Sequence, residues 1–456
     1  MADAVGGQIQ SGDPGGEIGT IVIDTRTLQP GDFFVALRGE LFDGHAFVAD
    51  AFAKGAAGAL VDRPIRDAHA RSAAVLRVAD TTRALQDLAH AIRLQSGTRV
   101  VAITGSAGKT TTKEAIAEFL STRFRVVKNK GNLNNHIGLP LSLLQLRERP
   151  EVAVMELGMN HAGEIRTLAA VAEPNVRVWT NVGDAHIGFF GSVDAIADAK
   201  AEILEGARPD DVLVCNADDP RIAARSHSFA GRTVTFGTSA RAVVRAGDIE
   251  DLGVDGMRAR VTTPSGECVI ATPLLGRGNL DNVLAATAVA LEFGVPLEDI
   301  SAAAMRLKPA DRRGAVRRLR GGVVLIDDSY NSSPDALRQA LDVLARERRA
   351  TRKVAVLGEM LELGDRSSAL HQESGRRAAA AGLRLMIAVG GDGARVLADA
   401  AVAAGMPAAS VSYFEKSELA APAAVAAVKA GDLVLVKGSR GTRTDVVADR
   451  LAVEFS

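Results

Sequence analysis

The sequence predicts an α/β protein of three domains, and three observations carry that reading. Its 456 residues exceed what one hydrophobic core usually serves. From residue 99 onward, apolar runs such as Arg99–Thr104, Val152–Glu156, Val176–Thr180 and Asp211–Cys215 alternate with helical segments. Runs that stay apolar without alternating are those of parallel strands covered on both faces. A second βα rhythm begins after Lys308.

Each region follows from its residues. In residues 1–97, short strands are expected at Ile21–Ile23, Phe33–Leu37 and Ala59–Val61, with a turn at Gly31-Asp32 and helices at Phe47–Lys54 and Thr81–Gln95. Residues 98–308 form the central sheet. After Gly231, alternating segments around Pro264-Ser-Gly266 predict antiparallel strands appended to it, then a helix from Asn279 to Leu291. In residues 309–456 the strands Val323–Ile326, Val354–Leu357, Leu385–Val389 and Leu433–Val436 alternate with helices from Pro334, Ser367 and Asp392, a Rossmann-like rhythm. Pro334 suits a first helical turn, where its missing N–H costs nothing.

Bulk properties exclude several classes. Charged residues make up 24% of the chain and the net charge is -1, so no basic stripe points to nucleic acid. No 18-residue apolar run predicts a membrane span, and no basic-then-apolar leader opens the chain. Cys215 and Cys268 lack metal-ligand spacing and read as small hydrophobes on or near strands in a reducing, cytoplasmic compartment. Of the 54 basic residues 11 are lysine, so a lysine in an unusual place is informative.

The segment Val101 to Glu114 joins a strand to a helix through Gly105, Ser106, Ala107 and Gly108, followed by Lys109, Thr110 and Thr111. Backbone N–H groups in such a turn, with one ammonium and one hydroxyl, are built for ATP phosphates and Mg²⁺. It is a shortened P-loop: Ile103 stands where the longer pattern has glycine. Glu156 ends an apolar strand, suited to hydrated Mg²⁺, or else to a helix N-cap region. His186, between glycines in Thr180–Ser192, reads either as a second magnesium ligand or as a loop histidine bonded to backbone. Lys200 adjoins the apolar face Ile196, Ala199, Ile203; pattern alone makes it a snorkelling surface lysine. Asp327-Asp-Ser-Tyr-Asn331, Glu359–Gly364 and Lys437–Arg440 each follow a strand, where open α/β sheets bind ligands. Lys437 and Arg440 are expected to make that crevice cationic.

These segments together resemble the Mur ligase superfamily, through Asp24–Arg26, Pro30–Asp32, Phe42–His45, the P-loop, Gly131–Gly138, Met155–Asn160, Thr180–Ser192, Asn279–Asn282, Asp327–Pro334, Leu357–Gly364 and Lys437–Arg440. Asp-Asp-Ser-Tyr-Asn and Leu-Gly-Glu-Met-Leu-Glu-Leu-Gly resemble the members that add D-alanyl-D-alanine to UDP-MurNAc-tripeptide. The resemblance implies that Lys109 and Thr110 hold ATP phosphates and a first Mg²⁺, with Glu156 on magnesium and His186 on a second ion. It implies that Lys200 is carbamylated by CO₂ to a carboxylate-like Mg²⁺ ligand. Such a lysine must be neutral for attack, well below the ordinary value of ~10.4. Asn279 and Asn282 would reach adenine and ribose, Arg313 a nucleotide phosphate, with Asp328 and Tyr330 in the same cleft. Asp24, Thr25, Arg26, Asp43 and His45 would hold the uridine-diphosphate end, with Asn135, Lys437 and Arg440 also on the substrate. A monomer is expected. Two departures stand out: Arg312 where the family has glycine, and a start at Ala2 that leaves an upstream stretch of the family pattern unmatched. Other ligases of the superfamily, folylpolyglutamate synthase-like enzymes and P-loop NTPases or kinases are the rival readings.

Overall fold

The computed structural model describes all residues except 14, 40–41 and 66–72. Twenty strands are found among the described residues. The first five are β1 (Gln8–Ser11), β2 (Ile21–Val22), β3 (Phe33–Val35), β4 (Gly58–Val61) and β5 (Ala74–Arg77), ordered β1-β5-β4-β3-β2. Nine more are β6 (Arg99–Thr104), β7 (Val126–Lys128), β8 (Val152–Glu156), β9 (Val176–Trp179), β10 (Val212–Asn216), β11 (Arg232–Gly237), β12 (Val244–Asp251), β13 (Met257–Thr263) and β14 (Gly266–Thr272). Their order is β14-β13-β12-β11-β10-β9-β6-β8-β7. The last six are β15 (Ala315–Arg318), β16 (Val324–Asp328), β17 (Arg352–Gly358), β18 (Leu385–Val389), β19 (Val411–Phe414) and β20 (Asp432–Lys437), ordered β15-β16-β20-β17-β18-β19.

Packing groups the chain into two compact units, one of Met1–Ala102 with Phe124–Val176, the other of Ile103–Arg123 with Arg177–Ser456. In the first, Phe34, Ala36, Val48, Phe52, Ala59 and Val61 form a core between the β3–β4 ladder and the helix Val48–Ala53. The helix Thr81–Ser96 begins where Asp80 accepts from Thr82 N and Arg83 N, a cap worth about 1 kcal/mol. It ends at Gly97, whose φ of 69° an L-residue takes at a cost.

In the second unit, Leu325, Val354, Val356, Ile387, Val389, Val434 and Val436 bury one sheet face under Ala420, Ala424, Val447 and Leu451 of the flanking helices. β16, β20, β17, β18 and β19 pair in parallel, while β15 joins β16 antiparallel.

The expectation of antiparallel strands after Gly231 holds only in part. β11 pairs in parallel with both β10 and β12, and the antiparallel part is β12-β13-β14. The short loop between β11 and β12 concealed this: Val243 N donates to Thr235 O and turns the chain back into a parallel register. The following helix starts at Gly276, three residues before Asn279. Cys215 is buried in β10 and Cys268 half-buried in β14; burial pushes the Cys215 thiol up to about 12.

Candidate active site

The P-loop is shaped by what its glycines touch. A Cβ on Gly105 would stand 1.9 Å from Thr180 Oγ1, and one on Gly108, at φ 79°, 2.2 Å from Asn282 Oδ1. Asn181, just after β9, takes both early N–H groups: Ser106 N donates to its carbonyl at 3.1 Å and Ala107 N to Oδ1 at 2.8 Å. Its Nδ2 and Thr180 Oγ1 both donate to Ala107 O at 3.0 Å. Those two N–H groups therefore shape the loop, and phosphate oxygens would meet the turn from Gly108 onward. Thr110 is buried in the first turn of the helix Lys109–Leu120, and Thr111 follows it half-buried.

The helix Gly276–Glu292 continues the site. Thr112 Oγ1 donates to Asn282 Oδ1 at 3.2 Å, Asn282 Nδ2 to Asn279 Oδ1 at 3.1 Å, and Asn279 Nδ2 to Leu275 O at 2.9 Å. This chain of amides ties the expected adenine-side residues to the phosphate turn.

Lys200 corrects the surface reading: it is 1% exposed on the helix Val193–Ala201. Its Nζ donates to Gly105 O at 3.0 Å, and Lys109 Nζ donates to the same oxygen at 2.8 Å. Burial holds the Lys200 amine well below the ordinary lysine range, and the Lys109 charge pushes it the same way. The turn that follows this helix is tied to the sheet: Arg177 of β9 donates to Ile203 O and Glu205 O at 2.6 Å each.

His186, with φ 66°, faces a carboxylate and not backbone: Nδ1 lies 2.7 Å from Glu362 Oε2, a close ion-pair contact without hydrogen-bond alignment. That partner holds Glu362 below the usual carboxylate range. Farther along, the Arg313 guanidinium lies 4.1 Å from the Tyr330 ring centroid and that of Arg440 5.9 Å. Lys437 is buried and gives its ammonium to Asp328 at 2.6 Å and to Asn331 O at 3.0 Å. Burial raises the Asp328 carboxyl while Lys437 opposes it. The cationic character expected of Lys437 is thus spent inside the protein, and Arg313 and Arg440 supply the charge around Tyr330.

In the first unit, Glu156 is 3% exposed at the end of β8. Asn134 Nδ2 donates to its Oε1 at 2.8 Å, and Asn129 exchanges bonds with its backbone at 3.0 and 3.1 Å. Exposed Asn135 accepts from Ile137 N and Gly138 N just ahead of the helix Gly138–Leu143. Asp24 and Arg26 pair at 2.6 Å on the surface, which lowers Asp24 to about 2; Thr25 is buried and its carbonyl accepts from Lys54 Nζ. Buried His45 stands between Asp43, 2.7 Å from Nδ1, and Asp62, 3.1 Å from Nε2. Asp43 sits at about 2, chiefly because it accepts from the His45 N–H. Asn129, Asn134, Asn181 and Glu362 escaped the sequence reading, although three of them lie inside segments that carried the resemblance.

Among the described residues no three His, Cys, Asp or Glu side chains converge. Mg²⁺ habitually takes one or two protein oxygens and completes its shell with phosphate oxygens and water. The Thr110 hydroxyl and the Glu156 carboxylate, each in its own unit, are oxygen donors of the kind Mg²⁺ takes. No helix among the described residues is long and apolar enough to cross a membrane.

Comparison with known proteins agrees along nearly the whole chain. Residues 17–93 match the family described as Mur ligase family, catalytic domain, residues 103–290 the Mur ligase middle domain, and residues 312–440 the Mur ligase, glutamate ligase domain. A UDP-N-acetylmuramoyl-tripeptide–D-alanyl-D-alanine ligase of Bacillus subtilis is 36% identical over 94% of this chain and 92% of its own. MurF from Acinetobacter baumannii superposes with a TM-score of 0.90 at 35% identity, covering 99% of this chain and 97% of that one. The MurF ligase of Thermotoga maritima, in complex with ADP, gives 0.84 at 29% identity, covering 96% and 97%. The P-loop turn gripped by Asn181 and Asn282, the buried Lys200 beside it and the match of all three regions make this chain a member of the Mur ligase family, akin to its UDP-N-acetylmuramoyl-tripeptide–D-alanyl-D-alanine ligases.

Proposed function

We propose that this chain joins D-alanyl-D-alanine to UDP-MurNAc-tripeptide at the expense of ATP, giving the UDP-MurNAc-pentapeptide used for peptidoglycan. The similarity to the Bacillus subtilis ligase over 94% of the chain carries this reading. ATP use is supported by the P-loop and by the ADP complex of the Thermotoga maritima relative. One substrate is nucleotide-linked and the reaction consumes ATP, which fits a cytoplasmic enzyme. We take the working division as 1–97 for the uridine-diphosphate end, 98–308 for ATP, and 309–456 for closing over the nucleotide and the incoming dipeptide. We keep a monomer as the working state.

In the reaction, the terminal carboxylate of the tripeptide attacks the γ-phosphorus of ATP, forming an acyl phosphate and releasing ADP. The amine of D-alanyl-D-alanine then attacks the acyl carbon, loses its proton, and the tetrahedral adduct expels phosphate. Activation is needed because a free carboxylate is a poor acyl donor. Lys109 offsets charge where two anions approach. Two Mg²⁺, when bound, would supply further neutralisation of the phosphates; Thr110, Glu156, His186 and carbamylated Lys200 are the side chains we assign to hold them. The neutral amine of Lys200 is suited to take up CO₂, and the product anion would lie beside Lys109. Arg313 and Arg440, flanking Tyr330, are placed to steer nucleotide or substrate anions. Asp24–Arg26 and Asp43 are kept for the substrate's nucleotide end and Asn135 for the substrate, with His45 bracing the Asp43 loop.

The test is product detection by mass spectrometry from UDP-MurNAc-tripeptide, ATP, Mg²⁺ and D-alanyl-D-alanine, with lysine and diaminopimelate tripeptides assayed separately. Pentapeptide with stoichiometric ADP is expected. If instead the dipeptide precursor accepted a single diamino acid, the choice of substrate would be overturned. ADP release without any peptide product would favour an NTPase.

A further inference from the structure

Two residues other than glycine hold left-handed backbone and meet each other: His186 at φ 66° and Glu362 at φ 64°. Such backbone is strained for an L-residue, so a paired occurrence marks a contact the fold maintains. Their side chains lie 2.7 Å apart, Nδ1 to Oε2. The loops carrying them follow β9 and β17, and they meet backbone to backbone. Gly188 N donates to Glu362 O at 2.9 Å. A Cβ on Gly188 would lie 2.7 Å from both Glu362 O and Gly364 N, and one on Gly364 2.9 Å from Gly188 Cα. Only two glycines allow this approach.

The Glu362 loop is fixed over three consecutive residues. Glu359 accepts from Gly391 N at 2.7 Å and Gly393 N at 3.0 Å. Met360 N donates to Nε2 of buried His371, whose Nδ1 lies 2.8 Å from Ser367 O. Leu361 N donates to Ser439 Oγ at 2.9 Å. Glu362 is thus presented to His186 by a support built from three separate segments of the C-terminal sheet region.

We propose that Glu362 is the positioning residue of His186. By lying against Nδ1 in close ion-pair contact it confines the ring and leaves Nε2 for a divalent cation, so the histidine becomes a full ligand only while the 359–364 loop is docked on Gly188. A carboxylate on the far nitrogen orients a metal-bound imidazole and strengthens it as a donor. Docking of the C-terminal region and binding of a cation at His186 are then coupled. The inference rests on the reading of His186 given above.

The experiment counts Mn²⁺ bound to the full chain with a non-hydrolysable ATP analogue, by electron paramagnetic resonance, for wild type, Glu362→Gln and Gly188→Ala. Hydrogen exchange of the 359–364 loop is followed in parallel. Two Mn²⁺ are expected in wild type. Glu362→Gln should weaken one of them by about 10–100-fold and spare the other. Gly188→Ala keeps both side chains but blocks docking, so it should raise loop exchange and weaken the same ion. Glu362→Gln binding both ions as wild type does would overturn the proposal, as would Gly188→Ala loosening the loop without touching either ion. A wild type that binds one Mn²⁺ removes its premise, while pentapeptide formation shows separately whether the assigned reaction survives.

Discussion

The Nζ of Lys200 stands 3.0 Å from the carbonyl oxygen of Gly105, in the interior of the protein and beside the charge of Lys109. A buried lysine cannot pair with solvent, so it surrenders its proton more readily than the unfolded chain does. Because the folded state binds fewer protons, stability rises with pH toward the ordinary lysine value, by about 1.4 kcal/mol for each unit between the two. Lys200→Met keeps the length and removes the amine. In CO₂-free buffer it should raise Tm at pH 7, with the gain shrinking toward pH 10, and it should abolish ligation. A lower Tm at pH 7 would show that the amine contributes stability there.

Gly108→Ala places a methyl 2.2 Å from Asn282 Oδ1 at a backbone φ of 79°. Strain of this kind costs about 1–3 kcal/mol. Calorimetric titration with ADP should show at least a tenfold weaker affinity, roughly 1.4 kcal/mol. Combining it with Asn282→Ala should restore stability more than it restores affinity, since the clash goes but the amide chain to Asn279 is lost.

Glu347 ties the end of the helix Pro334–Arg346 to Gly253-Val254: Oε2 accepts from Val254 N at 3.1 Å and Oε1 from Arg349 N at 2.8 Å. Arg349 is the largest cause that lowers this carboxyl from the ordinary 4.5 to about 2. A depressed carboxyl adds stability above its unfolded value and loses it as pH falls through the folded one. Glu347→Gln should therefore cost about 1–3 kcal/mol at pH 7. Urea denaturation of both proteins should converge between pH 4.5 and 2, and a gap that persisted at acid pH would assign the loss to packing.

Arg312 stands at φ 55°, where the family pattern has glycine. The side chain donates to Asp449 at 2.9 Å. Arg312→Gly relieves about 1 kcal/mol of backbone strain and gives up an ion pair worth about 0–1 kcal/mol. Denaturation midpoints should stay near wild type, and a larger loss would mean that the guanidinium does more than pair with Asp449.

Legibility followed the range of the forces involved. Parallel strands showed as continuous apolar runs, and the P-loop turn was readable because Gly105, Gly108, Lys109 and Thr110 are neighbours in sequence. Helix starts at Pro334, Ser367 and Asp392 were found where local signals coincide. β15 and β19 went unseen because neither buries a residue fully, so no periodic contrast marked them. Lys200 read as a surface residue because a helix pattern shows which face is apolar but not what another element lays over its edge.

By itself the sequence determined the α/β class, the order of its three regions, the phosphate turn and the family, since each depends on residues close along the chain or on motifs quoted whole. Tertiary structure decided charge and commitment. It buried Lys200 against Gly105, spent Lys437 on Asp328, gave the early P-loop N–H groups to Asn181, and set Glu362 on His186. Those pairs span tens to more than a hundred residues, and whether a charged group meets water, a partner or neither is fixed by packing, because Coulomb energy depends on the local surroundings and not on the residue type.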